Sequence, residues 1–166
     1  MTLIQRAGLV SVACILAVAG GGTSQVHGQA RGFPNVVDAL RVAPGCLGVE
    51  TGQTASGRRV IFAWFEGKRA LVEWYHSDVH QKAMRTVFPD TPFEGKPLPD
   101  LPENSGPILA IVSVKFDAAA TITSIGIELY GPLPGGIAVG GRFAPDALKV
   151  PGLREIPLNV TRRSPA

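Results

Sequence analysis

The side chains best suited to chemistry lie close together in the sequence. Both tryptophans, Trp64 and Trp74, and two of the three histidines, His76 and His80, fall within one short stretch. Tryptophan rings bind aromatic molecules, and histidine exchanges protons near neutral pH. His76 and His80 stand four residues apart, a spacing that can hold zinc on a helix, but no third ligand motif and no intervening glutamate accompanies them. The cluster therefore predicts proton transfer or the binding of an aromatic molecule, without a metal.

Other catalytic signatures are missing from the sequence. It shows no serine, histidine and aspartate arrangement, no phosphate-binding loop and no glycine-rich dinucleotide fingerprint. The hydrolase, kinase and dehydrogenase classes therefore lose support.

The N-terminus has the pattern of a signal peptide. A positive segment ends at Arg6, and the uncharged apolar run that follows, residues 7–19, suits a signal peptide but is too short to span a bilayer. Small residues near position 28, and others near position 19, offer two alternative cleavage points. We expect residues 1–28 to be a signal peptide and the mature protein to be secreted or periplasmic, with no stable membrane anchor.

Charge and length predict one domain without a nucleic-acid partner. The 166 residues include 16 Lys and Arg against 13 Asp and Glu, and the basic residues are scattered apart from the pair Arg162 and Arg163. Residues 31–145 are predicted to form one domain, and residues 146–166 an irregular tail. Cys46 is the only cysteine after the leader, so that part of the chain has no internal disulfide, and a small buried residue is predicted there.

Alternating apolar residues predict an antiparallel sheet. Its strands are predicted at residues 46–54, 59–65, 108–116 and 122–130, followed by a shorter strand near Ile137 and Val139. The short link between the third and fourth strands implies a hairpin. In Arg59–Phe65 both alternating sets are apolar, which predicts a central strand that is covered on both faces. Helices can cover only one of these faces, so a homodimer is expected to cover the other.

Two helices are predicted to pack on one face of this sheet. The first is short, with Asn35 near its N-cap, and the second runs from Lys68 to about Thr86. In an uninterrupted helix Trp74 lies nearly opposite the core stripe and faces away from the monomer core, unless a break at Ser77 and Asp78 changes the phase. The proline-rich residues 88–107 are predicted to form an ordered surface loop or lid.

Several short motifs together resemble the antibiotic-biosynthesis-monooxygenase family. Pro44 and Gly45 enter a strand, a later strand ends in Trp64, and a helix carries Trp74 followed six residues later by His80. The resemblance covers about residues 36–84. It implies a ferredoxin-like α+β fold that dimerises face to face into an α+β barrel. It also implies a cofactor-independent oxygenase that acts on a small aromatic or quinol-like substrate, although many family members have no demonstrated activity.

The resemblance also assigns candidate site residues. His80 matches the family histidine and is the candidate catalytic residue, and Trp74 matches a tryptophan that lines the pocket. Trp64, His76 and Met84 are further candidates for contact with a hydrophobic or aromatic ligand. In a related haem-degrading branch the haem ligand is a histidine ten residues after this tryptophan, where this chain has Met84. Haem degradation is therefore not expected.

The first strand of the family has no counterpart before the first predicted helix. The strand at Ile122–Tyr130 could fill that vacancy, and this hypothesis of a circular permutation predicts that it pairs both with Ile108–Phe116 and, in parallel, with Arg59–Phe65. Two functions stay open. One is a cofactor-independent monooxygenase; the other is a non-catalytic exported barrel that binds a hydrophobic small molecule or serves as an assembly module.

Overall fold

The computed structural model describes residues 35–91 and 97–158, and the predicted signal peptide lies outside this part of the chain. Three helices and six strands follow one another in the described chain. In order they are α1 (Val36–Arg41), β1 (Cys46–Gln53), β2 (Arg59–Phe65), α2 (Lys68–Tyr75), α3 (Asp78–Val87), β3 (Ile108–Phe116), β4 (Ile122–Tyr130), β5 (Ile137–Val139) and β6 (Arg154–Ile156).

The first four strands form one antiparallel sheet in the order β1-β2-β3-β4. The predicted α+β class, the antiparallel sheet and the interior position of β2 are confirmed. The predicted pairing of β4 with β2 is wrong, because β2 bonds to β1 on one side and to β3 on the other, in a register from Arg59 opposite Val114 to Phe65 opposite Ile108. β4 therefore lies at the edge of the sheet, paired with β3 alone, and the permutation hypothesis loses its structural basis.

The helices cover one face of this sheet, which we call the helix face. Asn35 caps α1 as predicted, since its side chain accepts a hydrogen bond from the backbone N–H of Asp38. The core beneath the helices is built from apolar side chains of the helices and of β2 and β3: Leu40, Ala63, Phe65, Ala70, Trp74 and Ala110.

The second predicted helix is broken, and the break changes where Trp74 lies. α2 ends at Tyr75, and Ser77 starts α3 as its N-cap, with its hydroxyl accepting from the N–H of His80 at 3.3 Å. Because α2 and α3 are separate helices, their core-facing residues do not have to form one continuous stripe. α2 turns Ala70 and Trp74 inward, and Trp74 is buried in the core. Of the two alternatives predicted for Trp74, the structure has the break at Ser77 and Asp78, and the side chain lies in the core rather than facing away from it.

The opposite face of the sheet, which we call the second face, is covered by residues that follow β4. Side chains alternate along a strand, so Phe62 and Trp64 point away from the helices. The ring of Phe143 packs edge-on against both, with ring centroids 5.1 Å from Phe62 and 5.3 Å from Trp64. Pro145 lies against Gly48 of β1. The chain thus covers this part of the second face itself, which removes the reason for expecting a face-to-face partner over Trp64.

Residues 131–158 form a small lobe, which we call the C-terminal lobe. Glycine-rich turns lead into β5, and β5 pairs in parallel with β6. Part of the range predicted to be an irregular tail is therefore ordered, since it contains β6 and the buried Leu148. Residues 159–166 of that range lie outside the described chain.

Residues 97–107 are docked on the start of α2. The N–H of Lys68 donates to the carbonyl oxygen of Ser105 at 2.8 Å, and its buried Nζ donates to the carbonyl oxygen of Leu101 at 2.5 Å and to a Glu103 carboxylate oxygen at 2.8 Å. Gly106 packs so tightly that an added Cβ would lie 2.5 Å from the Cα of Gly67. This end of the proline-rich segment is therefore anchored to the sheet-and-helix unit.

Candidate functional site

Trp74, Tyr75 and His80 form an aromatic cluster at the junction of α2 and α3. The His80 ring lies 5.7 Å from that of Trp74 and 5.2 Å from that of Tyr75, measured between centroids. Its Nδ1 lies 2.8 Å from the carbonyl oxygen of Tyr75. A carbonyl only accepts, so Nδ1 donates, and Nε2 of the neutral ring carries the free lone pair.

The surroundings of His80 favour its neutral form. Burial lowers the pKa of His80 below its ordinary value, the hydrogen bond to the Tyr75 carbonyl opposes this shift, and a charge on His76 adds to it. A neutral, oriented imidazole can accept a proton at neutral pH. The role of His80 as a general base stays a prediction.

The other candidate residues do not all join this cluster. His76 is exposed and meets Tyr75 edge-on with centroids 5.0 Å apart, and the half-buried Met84 lies on α3 one turn after His80. Trp64 lies on the second face, whereas Trp74 lies under the helices, because Trp64 alternates with Ala63 and Phe65 along β2. The five candidates are thus divided between two sides of the sheet.

A groove of about 490 Å³ lies between the second face and the C-terminal lobe, and a smaller cavity lies near it. Neither cavity is lined by Trp74, His76, His80 or Met84. The walls of the groove are mainly aliphatic and aromatic, and include Trp64, Leu109, Tyr130, Ile137, Phe143 and Leu153. Of the sequence candidates, only Trp64 lines it.

Two polar side chains in the groove wall are already held in place. Arg142 is largely buried, and its guanidinium donates to a Glu155 carboxylate oxygen at 3.1 Å and to the carbonyl oxygen of Leu148 at 2.9 Å. The hydroxyl of Tyr130 donates to the Glu128 carboxylate, and this interaction raises the pKa of Tyr130. At the groove the Arg142 guanidinium can donate further hydrogen bonds and the Tyr130 oxygen can accept one, and the charge of Arg142 is balanced by Glu155.

A second cavity of about 210 Å³ lies on the same face and is more polar. It shares Trp64, Arg142 and Phe143 with the groove and adds the carboxylates of Glu50 and Asp146. The ring of Phe143 therefore stands between the two cavities. Among the residues of 35–91 and 97–158, no group of three His, Cys, Asp or Glu side chains could hold a metal ion.

Cys46 has the environment of a packing residue. It is half-buried beside the core, and its thiol approaches the carbonyl oxygen of Gly48 at 3.6 Å. Burial raises the pKa of the Cys46 thiol, with the Gly48 contact acting in the opposite direction. A thiol with a raised pKa is a poor nucleophile at neutral pH.

Reasoning from sequence missed the residues that build the groove. Phe143, Tyr130 and Arg142 carried no motif, and the segment that supplies two of them reads as turns and a tail. One sequence signal pointed to these residues. Both faces of the strand Arg59–Phe65 are apolar, so the second face required a cover, and Ile137 and Val139 were apolar residues not yet assigned to a core.

Comparison of the chain with models of known protein families, with curated proteins and with solved structures returned no match in any of the three. Within the described ranges, no helix combines the length and hydropathy needed to cross a membrane.

Proposed function

We propose that this protein is a binding module for a small, flat, uncharged molecule of aromatic or quinol type, held in the groove between the second face and the C-terminal lobe. The observation that carries the proposal is the lining of the groove, where Tyr130 and Arg142 supply polar side chains within walls that are otherwise apolar. A volume of about 490 Å³ falls within the range typical of small-molecule pockets.

The lining also indicates which ligand chemistry fits. Trp64 is only 4% exposed and borders the groove with little of its ring, whereas Phe143, packed edge-on beside it, is 62% exposed and is the ring that a ligand can reach. Stacking or edge-to-face contact there favours an aromatic ligand. A ligand hydroxyl can donate to the Tyr130 oxygen, whose own hydrogen is donated to Glu128. Because Glu155 balances the charge of Arg142, the groove favours a neutral ligand over an anion.

Fluorescence of Trp64 tests this proposal directly. Since the chain has two tryptophans, Trp74→Phe leaves Trp64 as the only one. In that background, titration with 1,4-dihydroxynaphthalene is expected to change the emission saturably, and naphthalene sulfonate is expected to bind at least about tenfold more weakly because its charge must be desolvated.

Two matched variants of exposed residues in the C-terminal lobe separate groove binding from adhesion to the surface. Ile137 lines the groove and Leu133 does not, while both are exposed. Ile137→Lys is expected to abolish the saturable change and Leu133→Lys to preserve it. An equal effect of the two variants, or no saturable change in the parent protein, would contradict the proposal.

Catalysis at His80 is a second candidate, supported by the neutral and oriented imidazole between Trp74 and Tyr75. The resemblance to the monooxygenase family, with its dimeric barrel and its cofactor-independent oxidation of quinols, belongs to this candidate. Export is proposed with either candidate, and the signal-peptide pattern of residues 1–28 is its support.

Oxygen uptake distinguishes the two candidates. With 1,4-dihydroxynaphthalene as the substrate, an oxygenase that uses His80 as its base should lose most of its turnover in His80→Ala and keep it in the neighbouring variant His76→Ala. Oxygen uptake no faster than in the protein-free control would contradict catalysis at His80 and favour the binding module. Haem mixed with the protein and a reductant under air should keep its absorption band, as Met84 replaces the ligand of the haem-degrading branch.

A further inference from the structure

β4 presents an unpaired edge that is unusually apolar. Its backbone bonds to β3 on one side, and no backbone partner on the other side is found among residues 35–91 and 97–158. Ile127 is 48% exposed and Leu129 is 38% exposed, and Glu128 is the only charged residue in the strand. Edge strands with free N–H and C=O groups and apolar side chains pair readily with another strand.

The opposite edge of the sheet is protected by comparison. The exposed half of β1 runs from Glu50 to Gln53 and contains only polar residues and Gly52. Pairing along that edge would bury little apolar surface. Pairing of a further strand with β4 would therefore cover apolar side chains that are now exposed to water.

The sequence of β4 is compatible with antiparallel pairing to itself. If Gly126 faces Gly126 of a second copy, Ile125 stands opposite Ile127, Thr123 opposite Leu129, and Ile122 opposite Tyr130. The first two of these pairs lie on the helix face, where they would cover the exposed apolar side chains. In the same register Glu128 meets Ser124 rather than a second Glu128, so no like charges are opposed.

A basic group already stands where Glu128 of the second copy would arrive. The guanidinium of Arg58 reaches across β3 and donates to the hydroxyl of Ser124 at 3.3 Å. Lys115, directly opposite Ser124 on β3, lies on the same face. Glu128 of the second copy would therefore face the positive charge of Arg58, and symmetry would produce this ion pair twice.

We propose that two copies of this chain join through their β4 strands in the register centred on Gly126, forming one continuous antiparallel sheet with twice the four strands of the monomer. This interface shares Tyr130 with the groove and leaves the ring of Phe143 outside the contact. It differs from a face-to-face barrel, because the two sheets lie side by side and both helix faces point to the same side.

Charge exchange between Arg58 and Glu128 tests both the interface and its register. Sedimentation equilibrium at up to about 100 µM should show a reversible dimer, and Arg58→Glu or Glu128→Lys alone should weaken it about tenfold or more by opposing like charges at two symmetric places. The double variant Arg58→Glu with Glu128→Lys should restore most of the affinity. Ile127→Lys should also weaken the dimer, and adding Arg58→Glu and Glu128→Lys to this variant should not restore the affinity.

Glu50→Lys, on the opposite edge of the sheet, is the matched control and should leave dimerisation unchanged. Circular dichroism of each variant verifies that the monomer is folded. The Arg58 backbone accepts from the N–H of Thr54 and donates to the Thr54 hydroxyl, and neither hydrogen bond depends on the Arg58 side chain. A parent protein that is monomeric at the highest concentration, a double variant no tighter than the single variants, or a dimer lost in Glu50→Lys would each overturn the proposal.

Discussion

Replacing Lys68 with methionine should loosen the docked segment 97–107 while leaving the sheet formed. The Lys68 side chain is 2% exposed, and its Nζ donates to the Leu101 carbonyl and to the Glu103 carboxylate. Methionine keeps a long apolar stem in the same space and removes the charge. The carbonyl oxygen of Leu101 then loses its buried donor.

The expected cost follows from these two contacts. A charged donor to a buried carbonyl contributes about 1.5–3 kcal/mol. The ion pair adds less than about 1 kcal/mol, because Glu103 is 73% exposed and water screens it. Methionine also avoids the desolvation of an ammonium, which offsets part of the loss. Lys68→Met should therefore lower the free energy of unfolding by about 1–3 kcal/mol, and Lys68→Ala by about 3–5 kcal/mol, because it also leaves a cavity.

Urea unfolding followed by circular dichroism gives these free energies, and amide hydrogen exchange locates the change. Exchange in residues 97–107 should accelerate in Lys68→Met, while the strands of the sheet keep their order of protection. Lys82→Met, at an exposed position of α3, is the control and should change neither measurement. Unaltered exchange of residues 97–107 in Lys68→Met, or equal stability of the methionine and alanine variants, would refute this account of Lys68.

Two further predictions concern His80 and Gly48. Because the pKa of His80 is lowered below its ordinary value of 6.5, the unfolded chain binds the proton more tightly, so stability should fall as the pH drops through 6.5 toward the folded pKa. Urea titrations at several pH values should show this slope reduced strongly in His80→Asn and only slightly in His76→Asn, because the charge of His76 is the smallest cause of the shift. An added Cβ at Gly48 would lie 2.9 Å from Pro145, whereas Gly52 of the same strand has open space. Gly48→Val should therefore shift Trp64 emission to the red and weaken ligand binding, and Gly52→Val should do neither.

The sheet was predictable from the sequence because its strands carry their own signals. The bounds of β2, β3 and β4 follow from alternation of apolar residues, and the short link before Ile122 forces a hairpin. The strand order was not predictable in the same way. The resemblance to a family that begins with another strand favoured a position for β4 beside β2. The observed pairing of β2 with β3 joins residues far apart in the chain, and no local sequence pattern encodes such a pairing.

The candidate site was predictable only in part. The proximity of Trp74 and His80 follows from their spacing around a helix junction, and Ser77 is a recognisable N-cap. The sequence predicted the strand that carries Trp64, but not the residues that pack over its ring. Phe143 reaches it from a segment dominated by glycine and proline turns, and the direction in which such turns send the chain is set by tertiary contacts rather than by periodicity.

The agreement between chain order and sheet order has a consequence for how the protein is made. During synthesis each of β2, β3 and β4 can pair with the strand synthesised just before it, so the sheet can form strand by strand in chain order. The C-terminal lobe emerges last, and until it arrives Phe62 and Trp64 lie bare on the second face. The nascent chain therefore passes through a stage with a formed sheet and one uncovered aromatic surface, at which a chaperone has the most to bind.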